Sequence, residues 1–221
     1  MITTVIFDMD GVLIDSEPVH RDLNLRFFRS IGAPVSEEEY IAEFVGMPLE
    51  QMLHILKDRF CLTADAGELL RQSSEALIQE FGRRKLEPIG SVRNLLTGLQ
   101  ERKMNLAVAS SSSSELIDLI LDRTGLDPFF PLKLSGYQVP KGKPHPDIYL
   151  KTASELKVPP ECCLVIEDSC LGIAAAASAG MTPVAYANPA SGKQDLSRAR
   201  FVLDSYRREG REALFSFIDS L

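Results

Sequence analysis

The sequence predicts an α/β protein whose core is a doubly wound parallel sheet, interrupted near its start by a helical insert. Several short apolar runs are continuous rather than alternating, as strands buried on both faces are. Segments with apolar residues three or four positions apart lie between these runs and have the pattern of amphipathic helices. Strands that alternate with helices favour a parallel sheet with its functional groups at the carboxyl ends of the strands.

The strand and helix patterns follow one another along most of the chain. The predicted strands are 4–7, 106–109, 164–166, 183–186 and 200–203. The predicted helices between them cover 92–99, 116–121 and 148–156. The first three runs end in polar residues, so we expect polar groups to gather at one edge of the sheet.

The helical insert is predicted from the absence of any strand-like run between residues 16 and 87. Apolar residues in this stretch recur at helical spacing instead. Ser36 followed by Glu39 has the form of a capping box, and Gly32 and Pro34 end the preceding helix. We therefore expect an α/β core domain from residues 1–15 and 88–221, with a helical cap domain from 16–87.

Composition excludes some classes of partner. The 221 residues contain 24 Lys and Arg against 31 Asp and Glu, a formal net charge of −7, and 45% are hydrophobic. An acidic chain lacks the basic surface that nucleic acid or an anionic membrane requires. There is no apolar stretch of about 20 residues and no basic, apolar leader, so we expect a cytoplasmic protein. We also expect a monomer or a weak homo-oligomer.

The first chemical motif follows the first predicted strand. Asp8 and Asp10 stand two residues apart at the strand end, and Gly11 follows them. A carboxylate and a backbone carbonyl in such a turn are oxygen ligands that suit Mg²⁺. The alternative is that these acidic residues only stabilise the turn.

A second acidic pair follows another predicted strand, at Glu167 and Asp168. Equivalent placement would bring four carboxylates together, and unit charges about 4 Å apart repel by several kcal/mol when partly buried. A divalent cation between the pairs would explain both. Capping of the next helix is the alternative for this segment, and Ser169 can serve that role alongside a metal.

Two further segments predict a phosphate site. Ser110, Ser111 and Ser112 lie where a strand meets a helix start, so that hydroxyls and backbone N–H groups can receive phosphate oxygens. A serine helix cap is the alternative. Lys143 lies in a proline-containing loop before a helix and, if held beside the carboxylates, would neutralise charge in phosphoryl transfer.

The order of these motifs resembles the haloacid dehalogenase superfamily. The resemblance rests on four features: the DxDG(V/I)xxD pattern at 8–15, Ser110 at a strand end, the KPxPDxY pattern at 143–149 and the acidic pair at 167–168. The subgroup it resembles most contains β-phosphoglucomutase and small sugar-phosphate phosphatases. The resemblance implies a Rossmann-like core, and a helical cap domain that gates water and substrate.

The resemblance also implies residue roles. Asp8 would be the nucleophile that forms an aspartyl-phosphate, and Asp10 would protonate the leaving oxygen and then deprotonate water. Ser110 and the Ser111 amide would hold the transferring phosphoryl group, with Ser112 beside them.

The remaining implied roles concern charge. Lys143 would balance the negative charge on Asp8 and phosphate. Mg²⁺ would be held by Asp8, by the backbone carbonyl of Asp10, by Asp168 and by Glu167, which would act as a ligand or orient a metal-bound water.

Three residues of the insert are candidates for substrate binding. His20 resembles a hinge residue that positions Asp10, and Gly46 lies in a segment that resembles the substrate loop of the cap. The mutases carry an arginine for the distal phosphate where this chain has Leu49, which weakens bidentate phosphate recognition. Arg71 is a candidate phosphate ligand on a cap helix.

The favoured function is a Mg²⁺-dependent phosphatase acting on a small phosphorylated metabolite such as a sugar phosphate. One alternative is a phosphomutase of the β-phosphoglucomutase type, which passes the phosphoryl group to a second hydroxyl. The other is a non-catalytic receiver phosphorylated on Asp8, although receivers lack a helical insert after the first strand.

Overall fold

The structure, a computed structural model, describes residues 1–44, 47 and 49–221. Residue contacts divide the chain into two compact units, one formed by Met1–Asp15 with Leu86–Leu221 and the other by Ser16–Lys85. Residues 86 and 87 thus lie with the α/β unit. None of the helices in these described ranges is long and apolar enough to cross a membrane.

The strands of the α/β unit are β1 (Thr4–Phe7), β2 (Asn105–Ser110), β3 (Leu132–Ser135), β4 (Cys163–Glu167), β5 (Thr182–Tyr186) and β6 (Phe201–Leu203). In the described residues they form a parallel sheet with the order β3-β2-β1-β4-β5-β6. The predicted doubly wound α/β fold is confirmed. The sequence predicts five of these strands and misses β3, an edge strand whose first half is only partly buried.

Helices cover the sheet and complete the core of this unit. They are α5 (Val92–Glu101), α6 (Ser114–Thr124), α7 (Asp147–Leu156), α8 (Cys170–Ser178) and α9 (Arg208–Asp219). One face of the sheet packs Ile6 and Val165 against Ile148 of α7 and Ala176 of α8. The strands at the centre are fully buried, which explains their unbroken apolar sequence.

The helical unit contains α1 (Glu17–Ser30), α2 (Glu37–Glu43), α3 (Leu49–Phe60) and α4 (Ala66–Arg83). Its core includes Phe28, Phe44 and Leu53, all fully buried. The predicted capping box is present, because the Ser36 hydroxyl accepts a hydrogen bond from the Glu39 amide and the Glu39 carboxylate accepts one from the Ser36 amide.

Candidate active site

The sheet brings the polar strand ends of the α/β unit together. Phe7, the last residue of β1, lies opposite Val108 of β2 on one side and Ile166 of β4 on the other. Asp8 follows directly, and its amide donates to the Ile166 carbonyl at 3.0 Å. Residues after β1, β2 and β4 therefore meet at one edge of the sheet, as the parallel arrangement requires.

Lys143 joins the two acidic motifs. Its Nζ lies 2.7 Å from Asp8 Oδ1 and 2.6 Å from Glu167 Oε1, and it also donates to the Ala109 carbonyl at 3.3 Å. The side chains of Lys143, Asp8 and Glu167 are 7%, 9% and 1% exposed. Such burial of charged groups requires pairing. Burial lowers the pKa of Lys143, but the two carboxylates outweigh it and hold this pKa well above its usual value.

Glu167 is fixed by further donors. The Tyr149 hydroxyl donates to its Oε1 at 3.0 Å, and the Ser169 amide and hydroxyl donate to its Oε2 at 3.0 and 2.9 Å. Burial raises the pKa of Glu167, but Lys143 and the bonds from Ser169 outweigh burial and lower it. This carboxylate is thus held ionised. Ser169 also caps α8, since its hydroxyl accepts from the Gly172 amide at 3.0 Å.

Asp168 is the third buried carboxylate, with 8% of its surface exposed. Its Oδ2 accepts a hydrogen bond from the Ser191 hydroxyl. Burial and the neighbouring Glu167 charge raise the pKa of Asp168 well above its usual value. Burial likewise raises the pKa of Asp8 to about 7, although Lys143 opposes this shift.

The three carboxylates form a group that fits a metal ion. One oxygen from each of Asp8, Glu167 and Asp168 lies within 4.8 Å of the others. When ionised, these three carboxylates carry more negative charge than the single ammonium of Lys143 balances. An all-oxygen donor set with excess negative charge suits a hard divalent cation such as Mg²⁺. The Asp10 carboxylate is not in this group among the described residues.

Asp10 instead contacts the serine segment. Its Oδ2 accepts hydrogen bonds from the hydroxyls of Ser112 at 2.9 Å and Ser110 at 3.3 Å, and the Ser112 amide donates to Ser110 Oγ at 3.1 Å. Ser113, rather than these residues, caps α6 by accepting from the Leu116 amide. Ser111 is exposed between them. The arrangement places the Asp10 carboxyl group beside two hydroxyl donors.

The turn that carries Asp10 depends on Gly11. Its φ of +74° lies in the left-handed region, and a Cβ there would lie 1.9 Å from Asp168 Oδ2. The carbonyl of Met9 accepts from the amides of Val12, Leu13 and Ile14, which closes the turn. Glycine is thus required both for the backbone conformation and for the close approach of Asp168.

The helical unit contains the other predicted site residues. His20 on α1 is half-buried, with its ring 5.5 Å from the Phe81 ring. Arg71 on α4 is exposed and pairs with Glu68 at 2.7 Å and Glu75 at 2.5 Å, carboxylates of its own helix. Gly46 lies outside the described residues. His20 and Arg71 thus belong to the helical unit, whereas the carboxylate cluster belongs to the α/β unit.

Four residues at the site received no chemical role from the sequence. Tyr149 is the last residue of the KPxPDxY pattern at 143–149, and this position is the only feature of the sequence that could have marked it as a site residue. Asn188 and Ser191 follow β5 and donate hydrogen bonds to the Gly11 carbonyl and to Asp168. Gly172 leaves room for Glu167, because a Cβ on Gly172 would lie 1.8 Å from Glu167 Oε1. A hydroxyl, an amide and a glycine after a strand are common, so the sequence alone gives them no distinguishing signal.

Comparison with known proteins identifies the family. The family model described as haloacid dehalogenase-like hydrolase matches residues 5–186. A phosphorylated carbohydrates phosphatase from Thermotoga maritima is 34% identical over 80% of this chain and 81% of its own length. A fructose-1-phosphate phosphatase from Escherichia coli is 31% identical over 81% of this chain and 94% of its own.

A solved structure extends the comparison to the fold. It is a HAD family hydrolase from Deinococcus radiodurans with bound phosphate and sodium, 29% identical, with a TM-score of 0.71 over 97% of this chain and 96% of that one. The order of motifs, the sheet and these matches agree with one another. The chain therefore belongs to the haloacid dehalogenase-like hydrolase family.

Proposed function

We propose that the protein is a Mg²⁺-dependent phosphatase that hydrolyses small sugar phosphates through an aspartyl-phosphate on Asp8. The observation that carries this proposal is the buried Lys143, which bridges Asp8 and Glu167 at 2.7 and 2.6 Å beside a third carboxylate. Two relatives are phosphatases of phosphorylated carbohydrates and of fructose 1-phosphate, which supports this substrate class.

Asp8 is the proposed nucleophile. Lys143 holds its Oδ1 at 2.7 Å and opposes the rise in its pKa, and so favours the ionised form that attacks phosphorus. In the first step an Asp8 oxygen forms a bond to phosphorus while the ester P–O bond breaks, and the sugar leaves as its alcohol. Lys143 also offsets the negative charge that gathers as the phosphate approaches three carboxylates.

Asp10 is the proposed acid and base. Protonated, it gives its proton to the leaving alcohol; ionised, it takes a proton from the water that attacks the acyl-phosphate. That water displaces Asp8 from phosphorus, releases inorganic phosphate and returns Asp10 to its protonated form. The hydroxyls of Ser110 and Ser112, at 3.3 and 2.9 Å from Asp10 Oδ2, orient this carboxyl group.

The metal would be held by Asp8 and Asp168, by the Asp10 carbonyl, and by Glu167 directly or through water. When bound, Mg²⁺ supplies positive charge that polarises the phosphoryl group and permits its approach to the acidic cluster. Ser110, with the Ser111 amide, receives phosphoryl oxygens. The helical unit, residues 16–85, is the proposed cap domain that selects the substrate, with His20, Gly46 and Arg71 as its candidate residues.

The test is a panel of phosphomonoesters assayed for phosphate release with Mg²⁺ and with EDTA. The proposal predicts release from several sugar phosphates that stops in EDTA. Formation of a phosphate isomer without net release would favour the phosphomutase instead. Stable phosphorylation of Asp8 without turnover would favour a receiver. Turnover that EDTA leaves unchanged would contradict the metal site.

A further inference from the structure

The chain that follows β5 turns back across the acidic cluster. β5 lies beside β4 with Ala185 opposite Glu167, so residues leaving β5 emerge next to the second acidic motif. A single 3₁₀ turn, Pro189–Ser191, begins there. Asn188 caps it, because its Oδ1 accepts from the Ala190 amide at 2.9 Å. This cap fixes the orientation of the side-chain amide.

The nitrogen of the same side-chain amide donates a hydrogen bond to the turn that carries Asp8 and Asp10. With Oδ1 committed to the Ala190 amide, Asn188 Nδ2 donates to the Gly11 carbonyl at 2.9 Å. Gly11 follows Asp10, whose own carbonyl is a proposed metal ligand. A bond on the next carbonyl therefore restrains the backbone at the point where that ligand is presented.

Ser191, at the end of the same turn, holds the other acidic motif. It is 6% exposed, and its hydroxyl donates to Asp168 Oδ2. The Gly11 Cα, the Asp168 carboxylate and the Ser191 hydroxyl converge, since a Cβ on Gly11 would lie 1.9 Å from Asp168 Oδ2 and 3.0 Å from Ser191 Oγ. A donor on one oxygen fixes the plane of a carboxylate and hence the direction of both oxygens.

The turn is itself anchored beside Asp168. The Gln194 side chain donates to the Ser191 carbonyl at 3.0 Å and accepts from the Cys170 amide at 3.1 Å. Cys170 begins α8, two residues after Asp168. The turn cannot shift away from Asp168 without breaking one of these two hydrogen bonds as well as the one that Ser191 donates to Asp168.

We propose that Asn188 and Ser191 are positioning residues that hold the two halves of the metal site in register, one through the Gly11 carbonyl and the other through Asp168. This inference rests on the proposed metal site and adds residues to it. Hydrogen bonds behind metal ligands set their orientation, and their loss typically lowers metal affinity about 10- to 100-fold. A bond that served folding alone would leave the affinity unchanged.

The test measures Mn²⁺ binding to the chelator-stripped full chain, by the electron paramagnetic resonance signal of free Mn²⁺, without substrate. Ser191→Ala is expected to raise the dissociation constant about tenfold, and Ser191→Thr, which keeps the hydroxyl, to recover most of the loss. Ser73→Ala is the matched control, because Ser73 is buried at 3% exposure in the helical unit. It is expected to bind as the unsubstituted protein does.

Asn188→Ala is the second variant, since Asn188 is less buried and its loss leaves Ser191 in place. A rise of similar size in its dissociation constant supports the inference even where Ser191→Ala does not fold. If both folded variants bind Mn²⁺ within twofold of the unsubstituted protein, the inference is overturned and the metal site stands. If the unsubstituted protein binds no Mn²⁺, the metal site fails and the inference with it.

Discussion

Replacement of Lys143 by methionine removes the positive charge at the centre of the cluster while retaining a side chain of similar length. At 2.7 Å from Asp8 Oδ1 and 2.6 Å from Glu167 Oε1, the ammonium attracts each carboxylate by about 6 kcal/mol at an effective dielectric constant near 20. One pKa unit corresponds to about 1.4 kcal/mol. The attraction is therefore large enough to decide whether Asp8 is ionised.

Loss of Lys143 is expected to raise the pKa of Asp8 above about 7, because Lys143 is the main influence that opposes burial there. At neutral pH the nucleophile would be largely protonated. We expect kcat to fall at least about 100-fold, as for loss of one preorganised charge-stabilising group. We also expect the acidic limb of the pH–rate profile to move to higher pH.

The assay is phosphate release from fructose 1-phosphate at saturating Mg²⁺, followed from about pH 5 to about pH 9. Lys151→Met is the matched control, because Lys151 on α7 is partly exposed and donates only to the Gln138 carbonyl, at 3.0 Å, among its described hydrogen bonds. The control should keep the unsubstituted rate. A Lys143→Met enzyme with kcat within about threefold of the unsubstituted value and an unmoved acidic limb would refute the assigned role.

Three further outcomes are expected. Asp8→Asn should abolish phosphate release while circular dichroism and the melting temperature show a folded protein, and release at an undiminished rate would remove Asp8 as the nucleophile. Gly172→Ala should lower the free energy of unfolding by about 2 kcal/mol or more, measured by urea denaturation, because its Cβ would lie 1.8 Å from Glu167 Oε1. Gly82→Ala, with nothing within 4 Å of the added Cβ, is the control and should cost nothing. Burial raises the pKa of Asp8 from 3.8 to about 7, so between these pH values the folded state binds a proton that the unfolded state does not. The free energy of unfolding that this proton adds is present at low pH and is lost as the pH rises through about 7. Mg²⁺ should therefore raise the melting temperature more at about pH 8 than at about pH 5.5, and an equal rise at both would contradict this linkage.

The sequence predicts the centre of the fold well and its edge poorly. The strands at 4–7 and 164–166 are apolar without interruption because both faces of the sheet are covered there. β3 reads Leu-Lys-Leu-Ser, with its first two residues partly buried, and pairs with β2 alone at the sheet edge. A strand that pairs on one side only and is fully buried over only half of its length does not require a continuous apolar run. Its sequence is therefore difficult to distinguish from that of a loop.

In the candidate site, too, the sequence predicts the central residues but not the residues that support them. Asp8, Lys143 and Glu167 stand far apart in sequence, but each lies in a motif at a strand end or before a helix, so their meeting could be predicted. Their supporting partners could not. Asn188 and Ser191 act through hydrogen bonds set by a turn whose path depends on β5 and α8. No spacing in the sequence encodes that contact.

The most direct test of the proposed chemistry is to identify the residue that carries phosphate during turnover. Enzyme mixed with sugar phosphate and Mg²⁺ is quenched in acid, reduced with borohydride and digested, and the peptides are analysed by mass spectrometry. Reduction of an aspartyl-phosphate converts the side chain into that of homoserine. We predict homoserine at position 8, dependent on substrate and absent in Asp8→Asn. Steady turnover with an unmodified Asp8, or with the modification at another residue, would contradict the proposal.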